Sequence, residues 1–147
     1  MQSFRFRLER VLAWRKTQLE IEESRLKQLT AELAQLERAR EDLELARAAA
    51  RKTLDLCATV DGSELETLAR HLRCLREAER TLAARRQQQA CRIAGQQEVV
   101  VEARRRLRLL ERLRARRYNE WRAEADREME AFSTEMFLAR WNRDSGS

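Results

Sequence analysis

At 147 residues the chain has the length of one domain, yet 38% of it is charged, 5% is aromatic, and it contains no proline and three glycines. Ala, Glu, Leu, Arg and Gln dominate, the composition of long helices and coiled coils, where burial is confined to a narrow seam rather than a wide globular core. Such a chain offers little concave surface for chemistry, so its net charge of +6, from 28 arginines and three lysines against 25 acids, reads as the surface of a binding and spacing device rather than an enzyme.

The first helical pattern runs from about residue 4 to 57. Steps of four and three pass through Leu8, Leu12, Arg15, Leu19, Glu22, Leu26, Leu29, Leu33, Leu36, Arg40, Leu43, Arg47, Ala50, Leu54 and Cys57. Eleven of these fifteen positions are apolar, which is the signature of a helix packed along one stripe. Past Leu36 a second track appears through Ala39, Leu43, Ala46 and Ala50, a drift of the seam toward small residues.

Residues 58–63 hold the one clear turn. Asp61-Gly62 is a turn pair, and Ser63-Glu64-Leu65-Glu66 has the form of a capping box. A second helix then spans about 64–141, with a frayed tail at 142–147. Its stripe begins at Leu65, Leu68, Leu72 and Leu75 and resumes with Leu82, Ile93, Val100, Ala103, Leu107 and Leu110. Between these, Glu79, Arg86, Gln89 and Gln96 stand at core spacing beside Gly95. So polar a stretch should be the weakest part of the seam, and a kink there leaves room for a short separate helix at the tip, residues 64–76. The expected fold is all-α, an antiparallel two-helix coiled-coil hairpin forming an elongated rod. A short four-helix bundle needs two further turns, and no Gly/Pro/Asn cluster marks them.

From Tyr118 the apolar residues become aromatic and sulfur-bearing: Tyr118, Trp121, Met129, Phe132, Met136 and Trp141. With the turn near residue 61, position 5 falls opposite about 117, and the end of the second helix overhangs by about 25 residues. Either Phe4 and Phe6 cover the base of that overhang or another protein does, and its distal part calls for a partner. Charge is segregated beside it. Residues 85–117 carry eleven arginines and three acids, and residues 118–135 carry six acids and two arginines, a pattern suited to charge-steered docking.

No phosphate-cradling GxxxxGK[ST] loop is present, and the single histidine, His71, has no second ligand at metal spacing. No catalytic residue, cofactor or metal is therefore expected. Cys57, Cys74 and Cys91 are odd in number and widely spaced, which fits small apolar thiols in a reducing cytoplasm better than disulfides. No apolar run resembles a signal peptide or a membrane span, so direct membrane insertion is not expected. The run Arg104-Arg105-Arg106-Leu107-Arg108 points around a helix rather than along one stripe, and no specific nucleic-acid binding is expected of it.

The termini carry a family resemblance. Phe4-Arg5-Phe6-Arg7-Leu8, then Val11-Leu12 and Arg15, resembles the opening of the flagellar FliJ family. Leu110-Glu111-Arg112-Leu113-Arg114-Ala115-Arg116-Arg117, followed by Tyr118, Trp121, Glu124, Arg127 and Glu128, is similar to that family's C-terminal signature, although Phe132-Ser133-Thr134 replaces its usual Leu-Asp-Glu step. The resemblance implies a cytoplasmic component of the type III protein export apparatus, recruited peripherally to the membrane. Its partners would be a hexameric export ATPase, to which it is a stalk-like cofactor, the cytoplasmic domain of the export gate, and export chaperones. It implies ATPase contacts at Phe4, Phe6, Arg7, Leu113, Arg117, Tyr118, Trp121 and Phe132, and export-gate contacts at His71, Leu72 and Leu75. The stalk of a virulence-type secretion system fits the same residues, and a nucleic-acid-binding coiled coil is the alternative of a different class.

Overall fold

The computed structural model describes residues 3–56, 59 and 61–146. Two helices account for nearly all of them: α1, Glu9–Leu56, and α2, Gly62–Ser145. They pack antiparallel as an all-α helical hairpin, with no strand among the described residues. The expected seam end at Cys57, and positions 58 and 60 of the expected turn, lie outside the described residues.

Three boundaries differ from the sequence expectation. α1 starts at Glu9 rather than near Phe4, because residues 3–6 are extended and residues 7 and 8 form a turn. Phe4 and Phe6 are half-buried while Ser3, Arg5 and Arg7 are exposed, the two-residue alternation of an extended chain lying on a surface. The helix is then opened by the Glu9 amide donating to the Phe6 carbonyl at 3.2 Å and the Leu12 amide donating to the Leu8 carbonyl at 2.9 Å. α2 starts at Gly62, and its cap is Asp61 rather than a Ser63/Glu66 box. The Asp61 carboxylate accepts from the Gly62 amide at 2.8 Å and from the Ser63 hydroxyl at 3.1 Å, so the Ser63 oxygen is turned back toward Asp61. At its far end α2 continues through Ser145, so residues 142–145 are helical rather than frayed.

By its contacts the chain divides into two compact units: residues 20–101, and residues up to 19 together with 102 onward. In the first, α2 faces α1 through Leu68, Leu72, Leu75, Glu79, Leu82, Arg86, Gln89, Ile93, Gln96 and Val100, an unbroken 4-3 spacing. α2 is continuous here, so no second break and no separate 64–76 helix forms. What carries α2 through its polar stretch is direct bonding to α1. Arg47 Nη1 meets Glu79 Oε2 at 3.4 Å, and Arg86 Nε donates to Glu37 Oε1 at 3.0 Å. Gln89, only 5% exposed, donates to the Leu29 carbonyl at 2.9 Å and to Glu32 Oε2 at 3.0 Å. Gln96 donates to the Glu22 carbonyl at 3.0 Å and to Glu22 Oε2 at 2.6 Å. No buried side-chain nitrogen or oxygen among the described residues lacks a partner, so the polar layers do not incur the cost of unmade bonds. On α1 the covered track runs through the half-buried Leu36, Ala39, Leu43 and Ala46 to the buried Ala50, leaving Arg40 exposed.

Cys74 and Cys91 are both exposed free thiols and do not serve as buried apolar side chains. Among the described residues, no helix is long and apolar enough to cross a membrane, and no cluster of three metal-ligating side chains exists.

Candidate functional site

The second unit holds the two terminal segments that the sequence singles out. Leu12, Leu107 and Ala125 are its buried apolar residues, with Ala103, Leu110 and Trp121 half-buried. Beyond the start of α1, residues 3–8 take over as the cover for α2. The Phe4 ring meets Tyr118 edge-on with centroids 5.3 Å apart, and Trp121 at 5.8 Å; Tyr118 and Trp121 are themselves 5.7 Å apart. Such ring contacts add about 0.5–1.5 kcal/mol per pair beyond simple burial. Arg114 Nε donates to Glu9 Oε2 at 3.0 Å and ties the first turn of α1 to the same stretch of α2.

Beside the ring cluster lies an open groove of about 1170 Å³, between residues 3–8 and the α2 side chains Leu113, Arg117 and Trp121. Its rim is cationic. Arg5 and Arg7 are exposed and make no ion pair with any described carboxylate, whereas Arg117 meets Glu120 at 3.3 Å. An aromatic floor flanked by unpaired guanidinium groups suits an acidic surface carrying an apolar side chain. Nothing in it resembles a catalytic constellation: no histidine, cysteine or paired carboxylates line the groove.

Seven of the eight residues expected at the ATPase contact, Phe4, Phe6, Arg7, Leu113, Arg117, Tyr118 and Trp121, therefore lie at one place. Phe132 does not join them. It is 64% exposed and sits three turns further along α2, about 16 Å from Trp121 at 1.5 Å per residue. Met129, Met136, Phe137, Leu138 and Trp141 are exposed around it, with Phe137 stacked on Trp141 at 6.4 Å. The residues expected to face the export gate are in the other unit and behave differently from one another. Leu72 and Leu75 are half-buried in the seam, and His71 is exposed beside a shallow depression of about 480 Å³ with Thr53, Leu54 and Leu68.

Arg5 and Leu8 also line the groove, although neither is among the ATPase contacts that the resemblance implies. The clue was in the sequence: Phe-Arg-Phe-Arg alternates with a period of two, which no amphipathic helix needs. Several arginines of residues 85–117 are also paired. Arg105 and Arg106 both reach Glu102, at 3.6 and 3.0 Å, and Arg116 reaches Glu120 at 3.1 Å. The chain matches no protein-family model, no curated protein and no solved structure.

Proposed function

We propose that this chain is a non-enzymatic, stalk-like cofactor of a type III export ATPase, of the kind its resemblance to the FliJ family implies. In this reading it is cytoplasmic, recruited peripherally to the membrane, where it meets the export gate and export chaperones. The observation that supports it is the seating of Phe4 on Tyr118 and Trp121, which joins the two terminal signatures, over a hundred residues apart in sequence, into one surface. A stalk that engages a ring needs contact groups on the paired helix ends rather than a cleft, and here aromatic rings and the unpaired Arg5 and Arg7 occupy that position. The pairing of Arg105, Arg106, Arg114 and Arg116 with carboxylates weighs against a dedicated phosphate-binding stripe.

The test is to mix the purified chain with its cognate export ATPase and follow hydrolysis and hexamer assembly. Stimulation of both is expected. Absence of binding and of stimulation sinks the proposal. The double substitution Trp121→Ala/Phe132→Ala is expected to weaken association while leaving helicity at 222 nm intact.

A further inference from the structure

The exposed end of α2 carries a pattern that neither α1 nor segment 3–8 uses. Met129, Phe132, Met136 and Ala139 continue, at 3-4-3 spacing, the same face of α2 on which Trp121 and Ala125 are covered. Each of the three large side chains is more than half exposed, at 57%, 64% and 52%. A stripe spaced for helix pairing, continuous with a covered seam, is suited to another helix. The direction of that helix is restricted. A partner running parallel to α2 on this face would carry its own α1 and segment 3–8 into the same space already filled at Trp121 and Ala125. Only an antiparallel partner puts its bulk at the free end.

We infer that two copies of this chain associate through their α2 ends, antiparallel, about a two-fold axis at Thr134. The stripe is self-complementary about that point. Phe132 of each copy faces Met136 of the other, and Met129 faces Ala139, so large side chains meet smaller or more flexible ones in four successive layers. The flanking charges agree. Asp126 and Arg140 lie fourteen residues, four turns, apart on the same side of the stripe, and the two-fold places Asp126 of one copy beside Arg140 of the second, twice. Both are exposed, and neither makes an ion pair with a described residue of its own chain. On the other flank Glu135 faces its own copy across the axis, a like-charge contact that weakens the pairing. With about 18 residues per chain engaged, the interface falls at the small end of stable interfaces, so association is concentration-dependent. This inference does not rest on the stalk reading; it implies that Phe132 is hidden in the pair and exposed in the single chain.

Sedimentation velocity of the full chain between about 1 and 200 μM decides it. A monomer–dimer equilibrium is expected, tightened by Glu135→Gln. Asp126→Arg and Arg140→Asp each weaken it by about tenfold or more, because two attractive contacts become repulsive. Mixing those two variants restores dimer. In the mixed pair the introduced arginine meets the introduced aspartate on one side, and the native Arg140 of one chain meets the native Asp126 of the other on the second side. Circular dichroism of each variant confirms that its helices are intact. A chain that stays monomeric throughout, a dimer indifferent to both substitutions, or a mixture that fails to recover overturns the inference.

Discussion

Gln89→Glu is the sharpest probe of how α1 and α2 are held together. The two side chains have nearly the same shape, so the change replaces an amide donor by a carboxylate and creates no cavity. In the folded chain that amide is 5% exposed and gives its protons to the Leu29 carbonyl, at 2.9 Å, and to the Glu32 carboxylate, at 3.0 Å. The variant loses one bond to a neutral acceptor, worth about 1 kcal/mol, and one to a charged acceptor, worth about 2 kcal/mol. It also sets a buried negative charge against two acceptors, so roughly 3 kcal/mol or more should be lost. For a chain of this size that lowers Tm by roughly 6–12 °C. The assay is urea denaturation followed at 222 nm, with thermal melts alongside. Adding Glu32→Gln supplies a donor to the new carboxylate and should recover part of the loss. Gln89→Leu should instead fall within about 1.5 kcal/mol of wild type, since an apolar side chain fits the seam and Glu32, half-buried, can turn to water. A loss below about 1 kcal/mol for Gln89→Glu, with no recovery in the double variant, refutes the assignment of Gln89 as a buried interhelical donor.

Phe4→Ala should release the extended segment from Tyr118 and Trp121. The half-buried Trp121 should then shift the emission to longer wavelength with helicity unchanged, and an unmoved spectrum would show that the segment is not held by its ring. Asp61→Ala removes the acceptor for the Gly62 amide and the Ser63 hydroxyl and should cost about 1 kcal/mol, whereas Ser63→Ala should cost much less; equal losses in denaturation would favour a Ser63 capping box. Gly95 lies inside α2 with open space where a Cβ would go, so Gly95→Ala should stabilise the chain by about 0.5–1 kcal/mol, and a destabilised variant would reveal a neighbour at that position.

The local elements were largely legible without coordinates. A proline-free chain with apolar residues at four-and-three spacing has few alternatives to long helices, and Asp61-Gly62 marks the reversal because both residues tolerate turn geometry. The second track through Ala39, Leu43, Ala46 and Ala50 was also visible, and the structure uses it in place of Arg40. The polar stretch of α2 is less weak than its pattern suggests, because a one-dimensional reading counts Glu79, Arg86, Gln89 and Gln96 only as missing apolar contacts. Their partners, Arg47, Glu37, Glu32 and Glu22, are between 32 and 74 residues away, and only the pairing of the helices reveals them.

Of the candidate site, the sequence by itself determined the ingredients: aromatic and basic residues at both ends of the chain, and a helix end richer in exposed rings than a seam requires. Only the tertiary structure decided which of them meet. The chain leaves the helix before Glu9 because Phe4 has α2 rings to rest on, and that contact exists in no window of local sequence. The same packing decides the reverse at the far end. Once α1 and its extended lead-in are used up at Ala125, nothing among the described residues remains to cover Phe132, and its exposure follows from where the partner helix begins rather than from any property of the residue.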